Sequence, residues 1–394
     1  MLLTLALLSA IAPLATDMYL PGLPMLGDDL STSDSTVQLT LTTFMAGLGI
    51  GQLIVGPLSD GWGRRGLLLG GTAVFALSGI LCAIAPSAGV LIAARLVQGL
   101  SGGAAIVLAR AVIADRASGD AAAKLFSLMM IIGGVAPVVA PMAGGALLGP
   151  IGWRGIFWVL AVAGVVMVVG VLALIPETLA PDRRHGGGLA ALARNGRYVV
   201  CNRRFVGYAL AFMFGFGALF SYISASPFVV QDVLGLTAGQ FSIVFGVNSV
   251  GIVLGSIVNT RLIGRFHASQ LLTFGVLLVT AAGAALVLVV AVGGIGPAAV
   301  LPLLFVVTTA IGFIMGNATA LGQAEVPDAA GTGSAVMGAG QFGLAALVAP
   351  LVGGSAAGMA ISILACSVLA LVALLTLARP ATAPTAEPAP AVTG

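Results

Sequence analysis

Apolar stretches of 18 or more residues recur along the whole of this 394-residue chain, and that recurrence leaves few folds open. A soluble domain has no way to hide so much apolar surface, whereas about 20 apolar residues in a helix match the ~30 Å hydrocarbon core of a bilayer. Mean hydropathy is +1.15, and only 7% of the residues are charged. Lipid offers backbone amides no hydrogen-bond partner, so spanning segments must be helices or a closed barrel. The stretches lack the two-residue alternation of barrel strands, which leaves helices. The expected fold is an all-α membrane protein embedded in a lipid bilayer.

Twelve transmembrane helices are predicted. Six, at 2–23, 37–57, 67–86, 89–110, 123–147 and 154–175, make a first half, residues 1–175. Six more, at 206–226, 238–258, 269–291, 298–320, 331–353 and 356–377, make a second half, residues 206–377. A linker, 176–205, carries Glu177, Asp182 and six arginines and is too polar to insert. The Pro/Ala/Thr-rich tail, 378–394, is expected to be disordered. In this arrangement Arg64, Arg65, Arg110, Arg116, Lys124, the linker arginines, Arg261, Arg265 and Arg379 share one side. The other side holds Asp28, Asp29, Asp34 and Asp232, with Arg154 as its basic exception. The positive-inside rule then makes both termini and the linker cytoplasmic. The positions of the arginines explain the +3 net charge without a nucleic-acid partner. A degraded echo of the charged turn after span two, 259–265, follows span eight and points to an internal repeat.

Where charge is so scarce, its placement is informative. The turn Gly56-Pro57-Leu58-Ser59-Asp60-Gly61-Trp62-Gly63-Arg64-Arg65 crowds one acid and two arginines between spans two and three. Gly56 and Pro57 are expected to end the helix, and Asp60 and Arg64, four apart, to pair if the turn is locally helical. Asp115, at the end of span four, is placed to join them. A purely topogenic charge cluster is the competing reading. In span four, Arg95, Gln98, Gly99 and Gly102 fall on one helical face. An arginine inside a membrane helix usually faces a cavity or a partner, although Arg95 is near enough to the span's start to snorkel to the headgroups. Asp17 is the one acid placed within a span. It and Arg95 both fall in the outer third of oppositely directed helices, so they are placed to meet. Burial favours the neutral carboxyl and the arginine its charged form, a balance that lets protons bind and leave. Asp17 is the first choice for a proton carrier; an interfacial helix cap is the alternative. Span five carries Pro137, Pro141, Gly144 and Gly145, which in a membrane helix permit a kink and close packing.

A binding site for varied small molecules needs apolar and aromatic walls with a few polar groups. Tyr19, Gln38, Met45, Phe220, Tyr222, Asn248, Asn317 and Gln341 are candidates, each with interhelical packing as the competing reading. Gly47 and Gly51 form a GxxxG pair read as helix packing. Cys82, Cys201, Cys366, His185 and His267 show no disulfide or metal spacing, so no metal or organic cofactor is expected. Intramembrane enzymes need a Ser/His pair, metal ligands or paired acids, none of which is placed in a span.

These strings carry a resemblance. The turn 56–65 resembles the loop between the second and third helices of the major facilitator superfamily, where it acts as a latch that loosens as the cytoplasmic side opens. Leu91-Ile-Ala-Ala-Arg95-Leu-Val-Gln98-Gly99 resembles that superfamily's span-four motif, whose arginine is tied to proton coupling. The run from Gly133 to Gly145 resembles the antiporter motif of its drug exporters, with Ala140 where the pattern has glycine. Thr16-Asp17-Met18-Tyr19-Leu20-Pro21, Val37-Gln38-Leu39-Thr40-Leu41, Gly152-Trp153-Arg154 and Pro176-Glu177-Thr178-Leu179 extend the likeness to the bicyclomycin/chloramphenicol-resistance (Bcr/CflA) branch of drug–proton antiporters. The resemblance is dense from about residue 10 to 180 and thinner beyond. It implies two pseudo-symmetric six-helix halves rocking about a midplane site. It also implies a monomer in the bacterial inner membrane that exports small amphipathic compounds with protons as the coupling ion. The same fold carrying one specific metabolite is the alternative.

Overall fold

The computed structural model describes residues 2–116, 119–179, 184 and 196–378. The tail beyond 378 and most of the linker's arginine-rich stretch lie outside the described residues, as does the side chain of Lys124. Helices dominate, and among the described residues no β-strand occurs.

The first span is α1 (Leu2–Asp17), a 3-10 turn (Leu20–Gly22) and the short α2 (Leu23–Asp29). Pro21 has no N–H for the Asp17 carbonyl four residues back, so the helix breaks there. The second span, α3 (Asp34–Trp62), starts at Ser33, whose hydroxyl accepts the Thr36 N–H, and runs straight through Pro57. The expected stop at Gly56-Pro57 is therefore corrected: proline is tolerated inside a membrane helix. The real stop is Gly63, at φ +93°, a conformation that suits glycine. Beyond it lie α4 (Arg64–Ala83) and α5 (Ala88–Arg116).

Among the described residues, eleven helices are long and apolar enough to cross a bilayer, one fewer than the twelve predicted spans. The difference is α6 (Gly119–Leu174), which contains two spans meeting at Gly152, φ +65°. Its 40-residue apolar part would measure about 60 Å if straight, twice a bilayer core. The arms instead run back to back: Gly144 abuts Met18 near the end of α1, and Gly170 abuts Thr4 near its start.

The second half comprises α7 (Arg203–Phe228), α8 (Ala238–Leu262), α9 (Ala268–Ala291), α10 (Pro297–Ala324), α11 (Ala330–Val352) and α12 (Ala356–Thr376). Glycine seams show the repeat. Gly47 and Gly51 of α3 interlock with Gly99 and Gly103 of α5, each against the other helix's backbone. Gly255 of α8 and Gly312 of α10 do the same at the corresponding place in the second half. Large apolar side chains such as Val162, Leu172, Ile243 and Leu347 remain exposed, as a lipid-facing surface requires.

Candidate functional site

A cavity of about 1040 Å³ lies between the halves, walled by α1, α3, α5 and α6 on one side and α7, α8, α10 and α11 on the other. Hydrogen bonds joining the halves close one end. Gln38 Nε2 donates to the carbonyls of Ser224 (3.1 Å) and Gly353 (2.8 Å), and Gln231 Nε2 to that of Pro21 (3.2 Å). At the other end Arg110, Gln323 and Gly331 line the cavity. Arg110 lies near the end of α5 that carries Arg116, and Gln323 and Gly331 flank an acidic loop whose Glu325 pairs with the linker's Arg204 (3.8 Å), so the cavity opens on the side of the linker and the basic loops.

The candidate wall residues divide. Asp17, Met45, Phe220, Tyr222 and Gln341 line the cavity. Gln38 does not: it is fully buried in the closed end. Tyr19 is fully buried behind the wall, its hydroxyl 3.0 Å from Thr40 Oγ1. Asn248 stands one layer back and donates to the Tyr222 hydroxyl (2.8 Å). Asn317 donates to Asn259 Oδ1 (2.7 Å), tying α10 to α8. Among the wall residues that the sequence did not mark as such are Gln52, Arg110, Phe216 and Met337. Arg110 was visible only as a topogenic charge. The other three carry no local signal, because the facing side of a mostly apolar helix has no distinctive period.

The expected meeting of Asp17 and Arg95 does not occur: among the described residues no carboxylate lies within 4 Å of Arg95. Residues two apart on a helix point in nearly opposite directions. Asp17 faces the cavity, while Tyr19 faces α5 and takes the place beside Arg95. The guanidinium is fully buried, so Arg95 does not snorkel. Its carbon lies 4.0 Å from the Phe44 ring centre, 4.6 Å from Tyr19 and 5.7 Å from Phe157. Nη1 donates to Gln98 Oε1 (2.7 Å) and Nε to the Thr40 carbonyl (3.4 Å). An aromatic cage thus stands where a carboxylate was expected, each ring contributing on the order of 1–2 kcal/mol when desolvated.

The charged turn is assembled as its spacing suggests, with more partners. Arg64 pairs with Asp60 (2.7 Å) across the break at Gly63 and with Asp115 (3.2 Å), and also reaches Ser59. Arg65 donates to the Leu172 carbonyl (3.0 Å). Glu177 completes the network. Its carboxylate accepts the backbone N–H groups of Arg64 (2.9 Å), Arg65 (3.3 Å), Thr178 (3.0 Å) and Leu179 (3.1 Å). Thr178 donates to Asp115 (2.9 Å). Burial works against the Glu177 charge, but the four donors outweigh it and hold the carboxyl below the usual range. A negative charge there also complements the N-terminus of α4. A Cβ on Gly63 would fall 2.6 Å from Glu177 Oε2, so glycine is required for space as well as for φ. Gly56 packs near Val107 of α5.

In α6, Gly144 meets the Met18 carbonyl and Gly145 meets Ser242 of α8, so this face is clasped between the two halves. The Pro137 carbonyl accepts the Ser249 hydroxyl (3.2 Å). Pro141 and Ala140 are buried, and Ala140 is accommodated where the resemblance has glycine.

Comparison with known proteins agrees with this architecture. The profile of the Major Facilitator Superfamily matches residues 5–350. An uncharacterized MFS-type transporter of Bacillus subtilis, YdgK, is 40% identical over 89% of this chain and 87% of its own. A bicyclomycin resistance protein homolog of Haemophilus influenzae is 32% identical over 94% of each chain. The multidrug resistance protein MdtL of Escherichia coli O157:H7 is 27% identical over 94% of each. A bacterial homolog of the lysosomal transporter Spinster shares the fold, with a TM-score of 0.74 at 16% identity over 94% of each chain. The chain belongs to the Major Facilitator Superfamily and is a multi-pass membrane transporter, not an enzyme.

Proposed function

We propose that this transporter exports small amphipathic compounds, drugs among them, out of the cytoplasm in exchange for protons. The observation that carries the reading is a large apolar cavity holding a single carboxylate, Asp17, among its described wall residues. The resistance names borne by two relatives support it. The basic loops make the open end cytoplasmic and put both termini on that side of the inner membrane. Compounds enter from within and the two halves, 1–175 and 206–377, rock to release them outside, the chain acting as a monomer. Asp17 carries the proton. Arg95, caged away from it, acts as a positioning residue that fixes the Tyr19 turn and through it the end of α1. The cluster of Gly56, Asp60, Gly63, Arg64, Arg65 and Asp115 departs from the expected latch that loosens on cytoplasmic opening. Its ion pairs are made within the first half while the cavity is open on that side, so it holds the cytoplasmic ends of α3, α4 and α5 as one body during rocking. Pro137, Pro141, Gly144 and Gly145 form the face on which the halves slide. One proton driven by the membrane potential supplies about 2.3 kcal/mol per 100 mV.

The test is efflux of a small panel including chloramphenicol from a pump-deficient bacterium, with and without a protonophore. Protonophore-sensitive efflux of several compounds is expected. Folded protein in the membrane with no efflux of any compound would move the reading to a transporter of one metabolite.

A further inference from the structure

The cavity wall has an asymmetric charge. Among its described residues only Asp17 and Arg110 are ionisable with a full charge at neutral pH. Their summed charge is zero with Asp17 ionised and +1 with it protonated, and never negative. The two are also far apart. Asp17 lies beside Tyr19, at the level of Arg95. Arg110 is fifteen residues farther along α5 than Arg95, about 22 Å by helical rise. Asp17 therefore does little to offset Arg110 at the mouth. Arg110 is exposed, and among the described residues no carboxylate lies within 4 Å of it. A cation that lines an apolar mouth without a protein counter-charge favours a ligand that brings one.

We infer that Arg110 sets the charge preference of the cavity, admitting amphipathic organic anions and neutral, carbonyl-rich compounds and disfavouring lipophilic cations. A carboxylate, sulfonate or carbonyl oxygen on the ligand faces the guanidinium while the rest of the molecule lies along Phe216 and Met337. This deepens the drug-export reading and rests on its placement of the ligand in the cavity.

Tetraphenylborate and tetraphenylphosphonium, nearly equal in size and opposite in charge, are suitable probes, with chloramphenicol as the neutral reference. Binding is measured calorimetrically to purified protein in nanodiscs of zwitterionic lipid, which keeps anionic headgroups out of competition. The heats of the same injections into empty nanodiscs are subtracted, because the interfacial dipole potential makes the bilayer itself prefer the anion. A unit charge about 10 Å from the ligand, at an effective dielectric of about 40, separates the two ions by roughly tenfold. The expected result is that preference for the borate in the wild type. Arg110→Lys should retain it and Arg110→Gln abolish it, with chloramphenicol affinity little changed in both. The ratio is taken within one preparation, so a fraction of inactive protein cancels. Equal affinities for the two ions in the wild type, or a ratio unmoved by Arg110→Gln, would overturn the inference and leave the cavity reading standing. Binding of none of the three would overturn both.

Discussion

Asp17 and Tyr19, two residues apart, face opposite sides of the first span: Asp17 lines the central cavity, and the Tyr19 ring lies 4.6 Å from the Arg95 guanidinium. The chain thus keeps its cavity carboxylate and its buried cation in separate compartments divided by the end of α1. Proton binding at Asp17 then needs no rupture of an ion pair to Arg95.

Asp17→Asn keeps the side-chain shape and removes the exchangeable proton. In proteoliposomes it is expected to retain ligand binding and downhill exchange while losing accumulation driven by a pH gradient. Uphill transport of a neutral drug with unchanged proton dependence would place the proton site elsewhere.

The Arg95 cage predicts a graded loss of stability. Tyr19→Phe keeps the ring over the guanidinium and loses the hydroxyl contact with Thr40, worth about 1 kcal/mol. Tyr19→Leu also removes the ring, a further loss on the order of 1–2 kcal/mol. Thermal unfolding in detergent should rank wild type above Tyr19→Phe and Tyr19→Phe above Tyr19→Leu. Equal losses in the two variants would mean that the ring contributes nothing to holding Arg95.

The network at the charged turn predicts a pH-dependent difference. Glu177 has its carboxyl lowered by four backbone donors that outweigh its burial. Its contribution is therefore fully present above the ordinary glutamate value of about 4.3 and is lost as pH falls through the lower folded-state value. Wild type should unfold at a higher temperature than Glu177→Gln at pH 7, and the gap should narrow below about pH 4. A gap that stayed constant down to pH 3 would show that the charge is not what matters.

Spans, halves and the charged turn were legible because lipid imposes them: apolar length counts helices, and scarce charges mark their ends. The break expected between spans five and six, at 148–153, falls at Gly152, whose positive φ reverses the chain without a polar loop. The orientation of Asp17 was hidden. Depth along a span follows from residue counting, but which of Asp17 and Tyr19 faces α5 and which the cavity depends on how α1 is rotated against its neighbours. Gln38 was misplaced for a related reason. A buried glutamine suits a ligand wall and a helix contact equally well, and only the position of α7 and α11 shows that its partners are carbonyls of the other half. Glu177 was noticed only as part of a resembling string, because the two amides through which it holds the charged turn are 112 and 113 residues away.

Gln38 gives the most direct handle on the closed end. Its Nε2 bridges α3 to the Ser224 and Gly353 carbonyls of the second half, so outward opening must break both bonds. Each is worth about 0.5–1.5 kcal/mol net, and losing both shifts the equilibrium toward the outward-open form by roughly 5- to 150-fold. Gln38→Leu keeps the volume and removes the donor. Spin labels at Thr32 and Ser355, flanking this contact, are expected to show a longer-distance population in Gln38→Leu that is minor in the parent. An unchanged distance distribution, with the variant folded, would mean that the glycine-clasped face between α6 and α8 holds this end shut without Gln38.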